Sequence, residues 1–146
     1  MKTPSEISPL NLLQEHLRHD PWKLLVAVMM LNQTSAKQVW PILPEFFRRW
    51  PDAEYGAVAD QEEMAGVIRS LGFRNRRSKS IIKMSQSFIE GGWKEPEDLP
   101  GIGKYGADSY NAFCRGYLSH DVQDKELKKY LSWALEREKA GCQTST

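Results

Sequence analysis

Cysteine is scarce in this chain: Cys114 and Cys142 are the only two among 146 residues, and they lie far apart in sequence. An iron–sulfur cluster needs four cysteine ligands and a disulfide scaffold needs several pairs, so we expect neither. The three histidines, His16, His19 and His120, share no tight ligand spacing with either cysteine, so zinc is poorly supported. We interpret them as ordinary surface or core residues and predict no metal site.

Long hydrophobic runs and strand patterns are also missing. The longest apolar run, LLVAVMML (Leu24–Leu31), has the length of a buried helix segment and not of a membrane span. The N-terminal MKTPSEISPL lacks the apolar core of a signal peptide, so we expect a soluble intracellular protein with no membrane partner. No segment alternates apolar and polar residues as a half-buried strand does.

An excess of either charge is absent as well, since the formal net charge is +1. The distribution is more informative than the total. Basic residues cluster in RNRRSKSIIK (Arg74–Lys83), in KELKK (Lys125–Lys129) and in FFRRW (Phe46–Trp50). Such clusters fit a one-sided surface for a polyanion, although each is also typical of a solvated helix face.

Apolar spacing and cap signals predict an all-α fold in a single domain over residues 1–146, with about 1–7 and 139–146 frayed. WKLLVAVMML is apolar on nearly every face and is therefore the expected central helix. Pro41 and Pro44 should bend or restart the third helix. The predicted helical segments are PLNLLQEHLRH, WKLLVAVMML, VWPILPEFFRRW, MAGVIRSL, SKSIIKMSQSFI, KYGADSYNAFCRGY and KELKKYLSWALEREK.

The stretch LPGIGKYG, residues 99–106, predicts a tight turn between two helices. Glycine is needed where the backbone takes a positive φ or where another backbone approaches closely. The amides of Gly101, Gly103 and the next residues can then point outwards at a helix N-terminus, which favours an anion. A DNA phosphate is the natural ligand, with Lys104 adding charge, and such a contact reads no base sequence. A plain turn between helices is the alternative.

LPGIGKYGADSY resembles the hairpin of the helix-hairpin-helix DNA glycosylases, the endonuclease III superfamily. HDPWKLL, LNQTS, LGFRNRRSK, GIGKYGADSY and DKELKKY occur here in the order of the motifs of its mismatch-specific thymine/uracil glycosylases that accompany methyl-CpG-binding domains. The likeness spans about residues 5–138. It implies the helix-hairpin-helix glycosylase fold without an iron–sulfur cluster.

The resemblance implies that Asp124 is the catalytic carboxylate. A carboxylate beside C1′ stabilises the positive charge that develops on the sugar and helps water to attack. Asp121 is the competing candidate, but the D-x-x-L-x-K-Y pattern matches from Asp124. Asp124 also fits as the N-cap of the last helix, so a purely structural role is the alternative; the two roles are compatible.

Tyr105 occupies the position at which bifunctional members of the superfamily carry a lysine nucleophile. Tyrosine has no amine that could form a Schiff base, and Lys104 next to it points about a quarter turn away around the helix. The resemblance therefore implies a monofunctional enzyme, in which Tyr105 lies against a flipped pyrimidine in a pocket shaped by Leu31 and Asn32. A core aromatic is the alternative for Tyr105.

The target base has to leave the stack before its sugar can be reached, and inserted side chains hold the gap open. The resemblance points to Gln33 and to the FRNRR loop (Phe73–Arg77), with Arg76 as the first candidate. Vertebrate relatives carry arginine in place of Gln33 and leucine in place of Arg76. The alternative interpretation of Gln33 is an ordinary polar residue at the C-terminus of a helix. We expect Arg74, Arg76, Arg77 and Lys125 to contact phosphates more than bases.

These inferences combine into one expected function. The chain should be a monomeric nuclear DNA glycosylase that acts on double-stranded DNA and removes thymine or uracil opposite guanine. No cofactor is expected, although the resemblance implies a monovalent cation at the hairpin carbonyls when DNA is bound. The alternatives are a non-catalytic hairpin module that binds DNA, a bifunctional enzyme that nicks the strand and, more distantly, a module that binds only protein.

Overall fold

The structure is a computed structural model that describes residues 6–118 and 121–144, with side chains described as far as Ala140. Within these ranges the regular elements are helices and no strand occurs, which confirms the predicted all-α class. No helix in them has the length and apolar content that a membrane span requires. His120 and the outermost residues of both predicted frayed ends lie outside the described ranges.

The helices follow one another with short connections. Two 3₁₀ helices, Arg69–Leu71 and Pro96–Asp98, precede α7 and the glycine hairpin respectively. The α-helices are α1 (Leu13–Leu17), α2 (Pro21–Leu31), α3 (Ala36–Val39), α4 (Leu43–Arg49), α5 (Ala53–Ala57), α6 (Gln61–Val67), α7 (Arg74–Glu90), α8 (Lys104–Phe113) and α9 (Lys125–Thr144).

The central helix is α2, as its apolar composition predicted. It begins with Pro21 after Asp20, whose carboxylate accepts a hydrogen bond from the Lys23 amide at 3.1 Å. This cap, with proline in the first turn, satisfies the helix start. The helix contacts α1, α3, α7 and α8. Its buried residues are Trp22, Leu24, Leu25, Val26, Ala27, Val28 and Met30.

Two hydrophobic clusters share α2. The first joins α2 to α1 and α3–α7, and it includes Leu99 and Ile102 of the hairpin. The second joins α2 to α8 and α9 through buried residues such as Leu24 and Leu127, and Tyr105 packs against it. Each large apolar side chain that is fully buried contributes about 1.5–3 kcal/mol. The hairpin therefore lies at the junction of the two clusters and is anchored by both.

Several predicted helix ends are confirmed. The helix across the prolines is broken, since α3 ends at Val39 and α4 begins at Leu43. Gly72 (φ 78°) follows the 3₁₀ helix and Gly91 (φ 81°) follows α7, and both have the left-handed φ that glycine adopts without strain. The last helix, α9, reaches Thr144 and so continues past the predicted segment.

The start of α1 differs from the prediction. The helix begins at Leu13 and not at Pro9, because Asn11 takes a left-handed conformation (φ 49°) that interrupts it. The buried Glu15 carboxylate reaches back and accepts hydrogen bonds from the Ser8 amide at 2.6 Å and the Ser8 hydroxyl at 2.8 Å. Ser8 therefore belongs to a turn that the Glu15 side chain holds against the helix.

The start of α7 is also different. The segment Phe73–Arg77 was predicted to be a loop, but Arg74–Arg77 form the first turn of α7. Phe73 precedes the helix in a left-handed conformation, with φ 48°. The basic residues of this segment therefore project from a rigid helix start, and their directions are fixed by the helix.

Candidate functional site

The glycine hairpin has the geometry that its sequence predicted. Gly101 has φ 83°, and a Cβ there would lie 2.8 Å from Cε of Met29. Gly103 is the N-cap of α8, and it brings no side chain that accepts hydrogen bonds from the first-turn amides. A Cβ on Gly103 would meet nothing within 4 Å, so the side-chain position of this N-cap is open. An open helix N-terminus of this kind suits an anion.

A cavity of about 500 Å³ lies beside the hairpin. Pockets for small molecules commonly have volumes of this order. Its walls come from three segments that are distant in sequence: the end of α2, the start of α7, and the hairpin with the first turn of α8. The lining residues are Val28, Met29, Asn32, Gln33, Phe73, Arg76, Arg77, Ser80, Gly101, Ile102, Gly103, Lys104, Tyr105 and Gly106. Most of the residues predicted for a site are thus brought together around one cavity.

Tyr105 forms part of the cavity wall and is oriented by a residue that the sequence analysis missed. Gln14 of α1 is 4% exposed, and its Nε2 donates a hydrogen bond to the Tyr105 hydroxyl at 2.7 Å. Burial, together with the negative charge of Asp124, raises the pKa of Tyr105 to about 12. The phenol is therefore protonated near neutral pH, and its own O–H is left to donate. Nothing in the local sequence around Gln14 indicates this contact.

Asp124 lies directly before α9 and caps it. Its carboxylate accepts a hydrogen bond from the Leu127 amide at 2.9 Å, as the structural alternative predicted. The side chain is partly exposed and is not among those lining the cavity, but its charge acts on the Tyr105 phenol. The Asp124 carboxylate thus lies at a helix N-terminus, near enough for its charge to act on the tyrosine that forms the cavity wall.

Lys104 links the hairpin helix to the segment that leads to Asp124. Its ammonium lies 3.1 Å from the Asp108 carboxylate and donates to the backbone carbonyl of Asp121 at 3.2 Å. The predicted competitor Asp121 is exposed and is connected here through its backbone. Lys104 therefore connects α8 to the segment that precedes α9, and it also lines the cavity.

The end of α2 carries three residues predicted for the site, and the structure separates them. Asn32 and Gln33 line the cavity, and Gln33 is exposed in a left-handed conformation with φ 63°. Leu31 does not line the cavity; it is half-buried against the first hydrophobic cluster. The prediction of Leu31 as a pocket residue is therefore corrected, because the last turn of α2 directs it to the core.

Phe73 is a candidate insertion residue that the sequence analysis included in a loop but did not single out. It lines the cavity with 57% of its surface exposed, in a left-handed conformation that is uncommon for an aromatic residue. The guanidinium of Arg76 lies 4.8 Å from the centre of its ring. The sequence does offer an indication of this role, since Phe73 is an apolar residue between Gly72 and a basic segment. The arginines that follow it made Arg76 the first candidate from sequence.

Arg77 has a different role from the predicted phosphate contact. Its Nε donates to the Gly72 carbonyl at 2.9 Å, and its Nη2 donates to the Asn32 carbonyl at 2.7 Å. Its Nη1 donates to the carbonyls of Met29 at 3.0 Å and Met30 at 3.3 Å. The guanidinium thus donates all of these hydrogen bonds to backbone carbonyl oxygens.

The other predicted phosphate contacts lie on the surface. Arg74 projects from the first turn of α7, Arg76 lines the cavity, and Lys125 is the first residue of α9; all three side chains are exposed. Exposed basic side chains of this kind can contact phosphates. Only Arg77 among the predicted basic residues of α7 is turned into the fold.

The thiol of Cys114 is poorly suited to act as a nucleophile at neutral pH. Burial, and next the charge of Asp20, raise the pKa of its thiol to about 12. A thiol must ionise to attack or to bind a metal. In the part of the chain that the structure describes, no group of three or more His, Cys, Asp and Glu residues is placed to hold a metal ion.

The same arrangement of helices occurs in solved structures of DNA glycosylases. A structure titled as a thermostable thymine-DNA glycosylase aligns with a TM-score of 0.64 and 26% identity, covering 71% of this chain and 52% of that one. A trapped endonuclease III–DNA covalent intermediate aligns with a TM-score of 0.61 and 19% identity, covering 78% and 65% of the two chains. The fold is therefore that of the helix-hairpin-helix glycosylases.

The chain belongs to the HhH-GPD superfamily of base excision DNA repair proteins, whose family model matches residues 26–141. It is 39% identical over 109 residues to a methyl-CpG-binding domain protein 4-like protein of Arabidopsis thaliana, covering 75% of this chain and 24% of that protein. It is 37% identical over 95 residues to a thymine/uracil-DNA glycosylase of Pyrobaculum aerophilum, covering 60% and 41%. The aligned regions thus span less than half the length of these relatives.

Proposed function

We propose that this chain is a DNA glycosylase that removes thymine or uracil opposite guanine by hydrolysis, and that it leaves an abasic site without cutting the strand. The observation that supports this most directly is the pair formed by Tyr105 and Asp124. A protonated phenol forms the cavity wall where an amine would be needed for strand cleavage, and the charge of the Asp124 carboxylate acts on that phenol. Relatives named as thymine and uracil glycosylases support the choice of base.

The proposed reaction uses the site in a simple order. The open amides at the start of α8 hold a backbone phosphate, and side chains at the cavity rim fill the gap left by the flipped pyrimidine. The base enters the cavity against Tyr105. As the bond between C1′ and the base nitrogen breaks, the base takes the electron pair, and the Asp124 carboxylate stabilises the positive sugar. Water adds to C1′, and one of its protons is released while the departing base gains one.

Tyr105 is what makes the proposed enzyme monofunctional. Strand cleavage by β-elimination needs a Schiff base between C1′ and an amine, and a phenol cannot form one. The nearest amine on α8 is Lys104, whose ammonium is held by Asp108 and by the backbone of Asp121.

We also propose that the protein is a monomer, that it acts in the nucleus on double-stranded DNA, and that it needs no cofactor. A monovalent cation bound with DNA fits the hairpin, because a turn made of backbone offers carbonyl oxygens, the ligand type that hard cations take. The residues that would supply them are those of the turn between Leu99 and Gly103. The cation would hold the hairpin shape that presents the amides to a phosphate.

The first test is single-turnover base release from duplexes with one G·T, G·U or A·T pair. Asp124→Asn is the informative variant, because asparagine caps helices as well as aspartate but carries no charge. We expect release from the mismatches only, strand breaks only after alkali, and a rate at least about a hundredfold lower in the variant. Asp121→Asn is the matched control and should keep the wild-type rate.

Two results would contradict the proposal. Strand cleavage without alkali, with a borohydride-trapped adduct, would show an amine nucleophile, and Lys104→Ala would then identify or exclude the first suspect. Binding without base release from any duplex would favour a DNA-binding module. The hydrogen bond from the Leu127 amide to Asp124 gives that second function its support, since a cap explains the aspartate without catalysis.

A further inference from the structure

The guanidinium of Arg77 connects two separate segments of the cavity rim. Three of the carbonyls it binds, those of Met29, Met30 and Asn32, belong to the end of α2, and the fourth, that of Gly72, belongs to the turn before α7. In sequence Gly72 follows Asn32 by 40 positions. One side chain therefore sets the distance between them.

Each connected segment ends in an exposed residue with an unfavourable backbone. Gln33 follows Asn32 with φ 63°, and Phe73 follows Gly72 with φ 48°. A left-handed conformation costs a residue other than glycine about 1–2 kcal/mol, so the surrounding contacts have to hold it in place. In both cases Arg77 donates to the carbonyl of the residue that directly precedes the left-handed one.

The chemistry of these bonds requires arginine. The carbonyls at the C-terminus of a helix carry partial negative charge, and hydrogen bonds from a cation to them are stronger than neutral ones. The planar guanidinium has five donors in a fixed fork, whereas a lysine ammonium is a single point with three. Partial burial, together with repulsion from Arg76, lowers the pKa of Arg77 from its ordinary value. Even so, an arginine stays protonated in a protein.

We propose that Arg77 is a positioning residue that locks the Gln33 and Phe73 segments at one spacing, so that both side chains enter the opened duplex together. Arg77 itself does not contact DNA in this arrangement. The inference rests on the proposed function to the extent that a base is flipped into the cavity. It replaces the phosphate contact that the sequence predicted for this residue.

The test compares Arg77→Met and Arg77→Lys with wild type and with Arg69→Met, which removes an exposed arginine that does not line the cavity. A 2-aminopurine next to the target pyrimidine reports opening of the stack. We expect both Arg77 variants to lose most of the fluorescence rise and to release base from G·T ten- to a hundredfold more slowly, the cost of a misplacement of about 1 Å. Arg69→Met should behave as wild type. Circular dichroism checks that each variant is folded.

A second substrate separates positioning from general damage. With uracil opposite a tetrahydrofuran abasic analogue, opening the duplex costs less because no base pair is broken. The rate ratio between wild type and Arg77→Lys should therefore shrink to less than about threefold, because the chemistry itself is intact. An equal loss on both substrates would overturn the inference, as would wild-type fluorescence and rates in Arg77→Lys.

The two proposals fail in different ways. If wild type opens the duplex but releases no base, the proposed glycosylase function is wrong, and loss of the fluorescence rise in Arg77→Lys still supports the positioning role. If wild type binds the mismatch duplex and gives no fluorescence rise, the positioning inference is wrong, whatever the rate of base release.

Discussion

Tyr105 combines packing in the core with a place in the cavity wall. The sequence left open whether it was a core aromatic or a site residue; its ring packs against the second cluster and also lines the cavity. Gln14 donates to its hydroxyl from another helix, and the charge of Asp124 disfavours its ionisation. The local sequence could predict the tyrosine but not the glutamine that orients it.

The ionisation of Tyr105 gives a prediction at this scale. The ordinary tyrosine pKa is about 10, and the folded-state value is about 12. Ultraviolet titration of wild type minus Tyr105→Phe should therefore show one phenol that ionises near the higher value. Asp124→Asn should lower that pKa, because the negative charge is gone, but leave it above the ordinary value, because burial remains. An unchanged value in Asp124→Asn would show that the two groups are not coupled.

The same shift has a consequence for stability. A pKa that is higher in the folded state means that the folded protein holds the proton more tightly, so the contribution is present below about pH 10 and is lost as pH rises to about 12. The fall in the free energy of unfolding over that interval should be smaller in Tyr105→Phe. Denaturant unfolding at several pH values measures it.

At the scale of elements, the hairpin was predictable and the start of α7 was not. Gly101 needs glycine for its positive φ, Gly103 is the N-cap of α8, and a few neighbouring residues suffice to indicate both. The start of α7 depends on Phe73 keeping a strained conformation, which the bonds from Arg77 to Gly72 and to the end of α2 support. Such support comes from tertiary contacts, and the local pattern of basic residues only indicated a polar segment.

The two hairpin glycines should respond differently to alanine. Gly101→Ala should destabilise the protein by about 1–2 kcal/mol, because alanine is strained at φ 83° and its Cβ would meet Met29. Gly103→Ala should change stability by less than about 1 kcal/mol, since its φ is ordinary and the space is open, but should weaken DNA binding at least about tenfold by filling the phosphate position. Thermal unfolding and fluorescence anisotropy measure the two effects, and equal DNA binding by Gly103→Ala and wild type would contradict the anion site.

At the scale of the whole molecule, a near-neutral chain presents exposed basic side chains in local groups. Arg76 lines the cavity, Arg74 lies in the same first turn of α7, and Lys125 begins the helix that Asp124 caps. The two hydrophobic clusters meeting at the hairpin hold these elements in fixed directions. DNA binding should therefore depend on a few local charges and not on the net charge of +1.

Salt dependence tests which of those charges contact phosphates. Each phosphate contact contributes about 0.9 to the slope of log affinity against log salt concentration. Arg74→Ala and Arg76→Ala should each reduce the slope by nearly that amount, whereas Arg77→Met should leave it unchanged even where binding weakens. Anisotropy titrations with a duplex at several potassium chloride concentrations give the slopes. A lower slope in Arg77→Met would mean that this guanidinium does reach a phosphate.

The residue pattern alone was enough for the all-helical class, the hairpin and the cap at Asp124, and the family resemblance added the tyrosine in place of lysine at position 105. Each depends on signals within a few neighbouring residues: apolar spacing, glycine conformation, N-cap chemistry or a short motif. Only the tertiary structure places Leu31 against the core, Phe73 at the rim of the cavity, and the Arg77 guanidinium on backbone carbonyls instead of phosphates. Those outcomes depend on partners far away, 48 positions for Arg77 and Met29 and 91 for Gln14 and Tyr105, and no local pattern carries that information.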